Sequence, residues 1–395
     1  MSRKRTIDAF FGAAGAGNPK PKKPRDVSEG LPETSRDGAH LDGPDTSSNH
    51  DGLDVAPAKD ARSVTAELGA SQIKPVKTPR NDDGYSSYPA YPFPIPHLPS
   101  ALAAELPSWP ASLGRVINDQ TDLDLLYFEP YVARGGGSAR SLFEFLRSEL
   151  PFYRVEYDIN RGGVLTHTRT PRWTTVFGLD ETSRFGSTSS NGAAGGEVAI
   201  TKILDVKTGR DVSADKFYSR YQPRPIPKCL EELRLSAQEA SGCEFNFCLV
   251  NYYASGADSI SFHSDDERFL GSLPAIASFS LGARRDFLLK HKLVPPPPGG
   301  EHTEAMKNAM SKPLKLPLAS GDMILMRGPT QANWLHSIPK RTGKNASDGG
   351  RINITFRRAL VKPGTDNYYN YNVGTGPVYK WDAVNREMRV WKKIL

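Results

Sequence analysis

From Phe245 to Phe356 the chain is broken into short strand-like runs: Phe245 to Tyr253, Ser259 to Ser264, Ala275 to Leu281, Asp286 to His291, Asp322 to Met326, Trp334 to Ile338 and Ile352 to Phe356. Runs this short, separated by Gly and Pro turns, fit a sandwich or jelly roll. Arg351 to Arg357 alternates strictly, with Arg351, Asn353, Thr355 and Arg357 on one face and Ile352, Ile354 and Phe356 on the other. The apolar face suits a core, so the polar face must border water or a polar interior. Two helices are expected beside the strands. Ser141 to Leu150 carries Leu142, Phe143, Phe145, Leu146 and Leu150 at helical spacing and stops at Pro151, and Leu230 to Gln238 forms a second. Val294 to Lys312, with four prolines from Pro295 to Pro298, reads as a surface insertion, and Val378 to Trp381 against Met388 to Trp391 as a hairpin.

Apolar residues make up 38% of the 395-residue chain, enough for a core, but they are unevenly spread. Residues 12 to about 95 are dominated by Gly, Ala, Pro, Ser, Asp and Lys, the composition of a disordered tail. The expected organisation is a tail over residues 1–95, a globular domain over 96–362 and an extension over 363–395, with folding beginning near Tyr91 to Leu106. The net charge of +7 divides into +4 from residues 1–30 and +3 from residues 361–395, which leaves residues 31–360 with none. Any basic footprint on the globular part is therefore a local patch. Three cysteines, Cys229, Cys243 and Cys248, fit neither a disulfide framework nor a zinc finger, as expected of a reducing compartment. No segment has the apolar length of a membrane span, so a soluble intracellular monomer with no membrane partner is expected.

Two motifs punctuate the tail. Lys4-Arg5-Thr6-Ile7-Asp8-Ala9-Phe10-Phe11 can form one helical turn on binding and present Ile7, Phe10 and Phe11 together as pocket anchors. It resembles the box by which replication and repair proteins bind the sliding clamp PCNA, with Lys4 where that box usually has Gln. Lys20-Pro21-Lys22-Lys23-Pro24-Arg25 is a compact cationic cluster that looks like a nuclear localisation signal. Both point to the nucleus.

The chemistry concentrates in Ile260-Ser261-Phe262-His263-Ser264-Asp265-Asp266-Glu267. Side chains two apart on a strand share a face, so His263 and Asp265 project together, with Ser259 and Ser261, while Ile260 and Phe262 face away. His336, 73 residues downstream of His263, would complete a facial triad for non-heme Fe(II) with three positions left open. Taken alone the pair reads better as a surface histidine beside an acidic run; His336 and the downstream arginines change that weighing. Arg351 and Arg357 inside a cavity need an anionic partner, which a bound dicarboxylate would supply in the fork geometry of guanidinium.

Asn251-Tyr252-Tyr253, His263-Ser264-Asp265-Asp266-Glu267, Gly282-Ala283-Arg284-Arg285-Asp286-Phe287, His336-Ser337-Ile338-Pro339 and Arg351 to Arg357 together resemble the AlkB family of Fe(II)- and 2-oxoglutarate-dependent dioxygenases, closest to its eukaryotic nuclear DNA-repair members. The likeness is dense from about Glu244 to Arg358 and thinner back to about Leu125. It implies a double-stranded β-helix, a jelly-roll variant that is mostly β with flanking helices. His263, Asp265 and His336 become the catalytic iron ligands, Arg351 the partner of the distal 2-oxoglutarate carboxylate, and Asn251, Tyr253, Thr355 and Arg357 its supporting contacts. Glu267 matches an acidic position that faces the exocyclic amino group of the target base. Thr170 to Gly178 is similar to the family's nucleotide-recognition lid, with Trp173 and Phe177 as candidates to hold the base, although a core role fits them as well. Arg284 and Arg285 are read either as phosphate contacts or as a solvated turn.

The implied function is direct-reversal repair. 2-Oxoglutarate and O2 are consumed as cosubstrates, an N-methyl group is hydroxylated, and formaldehyde leaves a repaired 1-methyladenine or 3-methylcytosine in alkylated DNA. Two alternatives stay open: the same oxygenase chemistry on RNA or protein, and a non-catalytic clamp-binding nuclear protein.

Overall fold

The computed structural model describes residues 84–154, 156–191, 197–215, 218, 222–265, 267–292, 304, 312–342, 349–360 and 376–392. Each strand-like run named above forms a strand within two residues of its expected ends. The first expected helix begins earlier, spanning Ser138–Glu149, and Leu150 turns to an extended ψ of 141° ahead of Pro151, because proline disfavours helical geometry in the residue before it. The second, Lys228–Ser241, is longer at both ends than its periodicity indicates and closes on Gly242 in the left-handed conformation that glycine tolerates.

Fourteen of the described strands build two facing sheets, and three two-stranded ribbons lie apart from them. Ten strands form the larger, in the order Glu387–Val390, Val378–Asp382, Phe152–Tyr153, Trp173–Gly178, Phe247–Tyr253, Arg351–Arg357, Ile276–Gly282, Met323–Met326, Leu125–Phe128 and Arg115–Ile117. The smaller sheet runs Ile260–His263, Trp334–Ile338, Arg285–His291 and Leu314–Leu318. All pairings are antiparallel, and the arrangement is the double-stranded β-helix expected from the resemblance. Leu314–Leu318 alternates as a strand should, but Pro317 argues against one in sequence; proline is tolerated there because this is an edge strand.

Alternation decides which side each residue serves. On the outer face of the large sheet, Cys248, Val250, Tyr252, Ile352, Ile354 and Phe356 pack against Leu142, Phe143, Leu146, Leu230 and Leu233 of the two helices. Each fully buried leucine there contributes roughly 1.5–3 kcal/mol. The inner face holds a second apolar cluster, with Tyr253, Ile276, Ile324 and Met326 against Phe287, Leu289, Trp334 and Ile338 of the small sheet. Arg351, Asn353, Thr355 and Arg357 belong to this inner side and are all buried, so the polar face borders an enclosed polar interior rather than water.

Tyr91 and Ile95 belong to the main core, in keeping with folding that begins near Tyr91, and Tyr85–Ser86 pairs with Ile95–Pro96. At the other end, the expected hairpin forms as Val378–Asp382 with Glu387–Val390 and pairs with Phe152–Tyr153, which makes it part of the large sheet and not an appendage. The motif with Ile7, Phe10 and Phe11, the cluster Lys20 to Arg25 and nearly all of the insertion at 294–312 lie outside the described residues. Among the described residues no helix is long and apolar enough to cross a membrane.

Candidate metal centre

His263 closes its strand in the small sheet and pairs with His336 on the neighbouring strand. Ile260 pairs with Ile338, so three steps along one strand oppose two along the other and a β-bulge interrupts the ladder. The strict alternation expected from Ser259 to Asp265 therefore fails: Ser261 and Phe262 are both exposed, while His263 and Asp265 are buried. Bulges re-aim side chains, and this one aims the histidine inward.

The ligand atoms of His263, Asp265 and His336 lie within 4.8 Å of one another. The two imidazole rings sit 4.2 Å apart between centroids, and His336 Nε2 is 4.0 Å from Asp265 Oδ2, too far for a hydrogen bond. His263 Nδ1 lies 2.9 Å from the Ser261 carbonyl oxygen and donates to it, which assigns the lone pair to Nε2. The Phe287 ring stacks on His336 at 5.3 Å. Burial pushes both histidines down, His336 to about 3 with His263 beside it adding to the effect, so both are neutral near pH 7. Burial alone would raise the Asp265 carboxyl, but the Arg357 guanidinium and the two imidazoles hold it at about 2. Two neutral imidazoles and one carboxylate form a donor set suited to Fe(II). Asp265 Oδ1 is buried without a hydrogen-bond partner, as a metal-facing oxygen would be.

Behind the carboxylate, Arg357 Nη2 donates to Asp265 Oδ2 at 2.7 Å and Nη1 to Thr355 Oγ1 at 2.7 Å, while that hydroxyl donates to the Leu249 carbonyl at 2.9 Å. Thr355 and Arg357, expected as cosubstrate contacts, are joined in this way to the Asp265 carboxylate. Arg351 is different. Its Nη2 donates to Ser280 Oγ at 2.8 Å and its guanidinium lies 5.5 Å from the Tyr253 ring centroid, but Nε and Nη1 are buried without acceptors. Burial lowers it to about 10, which leaves it charged at pH 7 with no carboxylate paired to it among the described residues. A buried charge in this state calls for an anion, and a 2-oxoglutarate carboxylate fits that need.

The remaining candidates divide. Asn251 is opposite Asn353 on the inner face and accepts from Arg172 Nε at 3.2 Å, while Tyr253 is opposite Arg351. Glu267 is buried just past Asp265. Trp173 and Phe177 are not at the site. Their register partners are Tyr252 and Cys248, which face the helices, and Trp173 packs on Tyr252 and Tyr379 while Phe177 packs on Tyr91. A strand with Trp173 and Phe177 outside places Arg172 and Thr174 inside, and sequence reading overlooked both. Arg285 is neither a phosphate contact nor solvated: it is buried and donates to the carbonyls of Ser255, Asp258 and Pro339. Arg284 is exposed.

Residues 182–357 match the 2OG-Fe(II) oxygenase superfamily. The chain is 39% identical over 149 residues to alpha-ketoglutarate-dependent dioxygenase alkB homolog 3 of Rattus norvegicus, covering 37% of this chain and 47% of that protein. It is 37% identical over 139 residues to the DNA oxidative demethylase ALKBH2 of Homo sapiens, covering 35% and 49%, and 36% identical over 161 residues to ALKBH2 of Arabidopsis thaliana, covering 36% and 48%. The chain spans about half the length of these relatives. The two histidines and the aspartate that converge in the jelly roll beside a buried arginine thus lie within the residues that match the 2OG-Fe(II) oxygenase superfamily, and the chain is similar over about half their length to these alkB homologues.

Proposed function

We propose that this chain is a dioxygenase that uses Fe(II), 2-oxoglutarate and O2 to demethylate 1-methyladenine and 3-methylcytosine in DNA. The observation that carries the reading is Arg351, a buried guanidinium with two unsatisfied nitrogens beside a converged His263, Asp265 and His336. In this reading those three residues hold the metal, Arg351 takes the distal carboxylate of 2-oxoglutarate, and Asn251 and Tyr253 line the same face. When bound, iron with its two cosubstrates supplies the oxidant that hydroxylates an N-methyl group, after which formaldehyde leaves.

The chain's own residues prepare that chemistry. Arg357 keeps Asp265 ionised and oriented, burial keeps both histidines neutral, and Phe287 shields His336 from water. A site enclosed between two sheets cannot reach a base inside a stack, so the target must be single-stranded or flipped, at a cost of roughly a few kcal/mol. Methylation at N1 of adenine or N3 of cytosine blocks pairing, lowers that cost and leaves a cationic base that suits Glu267. That the relatives are named DNA demethylases supports the choice of DNA. Nuclear action as a monomer, with the sliding clamp PCNA bound through Ile7, Phe10 and Phe11, belongs to the same proposal.

The test is mass spectrometry of oligonucleotides carrying either lesion, incubated with the full chain, Fe(II), 2-oxoglutarate and ascorbate. The expected result is loss of one CH2 unit per lesion, abolished in Asp265→Ala. Lesions left intact in single and double strands by protein that hydroxylates RNA or a peptide would overturn the repair reading and leave the oxygenase reading standing.

A further inference from the structure

The strand that delivers His263 ends there, so the backbone N–H of Asp265 has no ladder partner. Gln331 supplies one: its Oε1 accepts from Asp265 N at 2.9 Å, and Gln331 is 1% exposed. The amide orientation is fixed from both sides, because the Asp265 N–H can only donate and Gln331 Nε2 donates to the Met326 sulfur at 3.1 Å. Gln331 lies in the helical turn Thr330–Asn333, which runs directly into the strand Trp334–Ile338 that carries His336. The turn is itself pinned. Thr330 Oγ1 accepts from Asp124 N at 2.9 Å and donates to Asp124 O at 3.1 Å, and Lys292 Nζ donates to the Gln331 carbonyl at 3.0 Å.

We propose that Gln331 is a positioning residue for the metal centre, setting the spacing between Asp265 and His336. Resting on the iron reading of the three ligands, the argument is geometric. Arg357 fixes Asp265 at its carboxylate and Gln331 fixes it at its backbone nitrogen, so Oδ1 is left with one direction in which to point. The second anchor comes from the element that bears the other ligand. A shift of Asp265 relative to His336 must therefore break the Gln331 hydrogen bond, and removing that bond should loosen the donor set before it unfolds the chain. Partners of this kind typically change metal affinity by roughly 10–100-fold when lost.

The probe is Co(II), titrated into the metal-free full chain and read by its visible absorption, with no turnover required. Gln331→Met conserves volume but cannot accept, and is expected to bind Co(II) roughly 10–100-fold more weakly with altered band intensities. Wild-type affinity and spectrum in Gln331→Met would overturn the proposal. If Gln331→Met does not fold, Gln331→Asn replaces it, since its oxygen falls short by a methylene; wild-type binding there is again fatal. Failure of the wild-type chain to take Co(II) would remove the metal reading itself, whereas binding that no Gln331 variant alters removes only this role.

Discussion

Arg351 is a charge with too few partners: 1% exposed, two nitrogens unsatisfied and, among the described residues, no carboxylate against it. Such a group weakens the ligand-free fold, since a buried charge without a counter-ion is costly. Arg351→Met should therefore leave the ligand-free protein as stable as wild type or more so, by up to about 1–4 kcal/mol, read from the denaturant midpoint. Saturating 2-oxoglutarate with metal should raise the wild-type melting temperature and leave that of the variant unmoved, because stabilisation by a ligand follows its affinity. A variant that melts lower yet still responds would make Arg351 a fold residue. The two histidines give a pH signature in the metal-free protein. His336 falls to about 3 in the fold and His263 falls as well, so below the ordinary imidazole value near 6.5 the unfolded chain binds more protons than the folded one. Stability from this source is complete above about pH 6.5 and is lost progressively as pH falls towards the folded values. Denaturation at stepped pH should show that decline, and His336→Gln should flatten it; an unaltered slope would place the acid sensitivity elsewhere.

Elements decide what single residues cannot. The strand Trp173–Gly178 reads as part of a lid through its similarity to the family's nucleotide-recognition segment, yet its pairing with Phe247–Tyr253 sends Trp173 and Phe177 to the helix side. Phe177 is buried against Tyr91 beneath the Arg224 guanidinium, 4.9 Å from its ring. Phe177→Ala should cost about 3–5 kcal/mol of stability, measured by chemical denaturation, while Phe177→Leu keeps the substrate KM of wild type. A raised KM in a stable Phe177→Leu variant would return the residue to base recognition. Strand ends were legible to within two residues because alternation and turn residues are local properties. Which face of Trp173–Gly178 points inward was not, since that parity is set by a partner strand about 75 residues away.

At the scale of the whole molecule, the residues of the site and the N-terminal motif lie far apart along the chain. The residues that converge on the site all lie between Arg172 and Arg357, whereas Ile7, Phe10 and Phe11 sit in a segment without an apolar core of its own. Replacing Phe10 and Phe11 by Ala should abolish pull-down of the sliding clamp PCNA and leave the rate on free oligonucleotides at the wild-type value. Clamp capture at full yield by the double variant would make the motif accidental; a slowed rate on free oligonucleotides would tie the tail to the site.

The jelly-roll class and the polar face from Arg351 to Arg357 followed from local patterns of period two, whereas His263, Asp265 and His336 became a ligand set through the family resemblance. The structure decided what depends on distant neighbours. It turned His263 inward through a bulge, set Thr355 and Arg357 behind Asp265, gave Arg351 no carboxylate among the described residues, and brought Gln331 from a turn 66 residues away onto the Asp265 backbone. Hydrogen-bond partners of that kind leave no periodic trace in a chain; they exist only once two sheets have closed on one another.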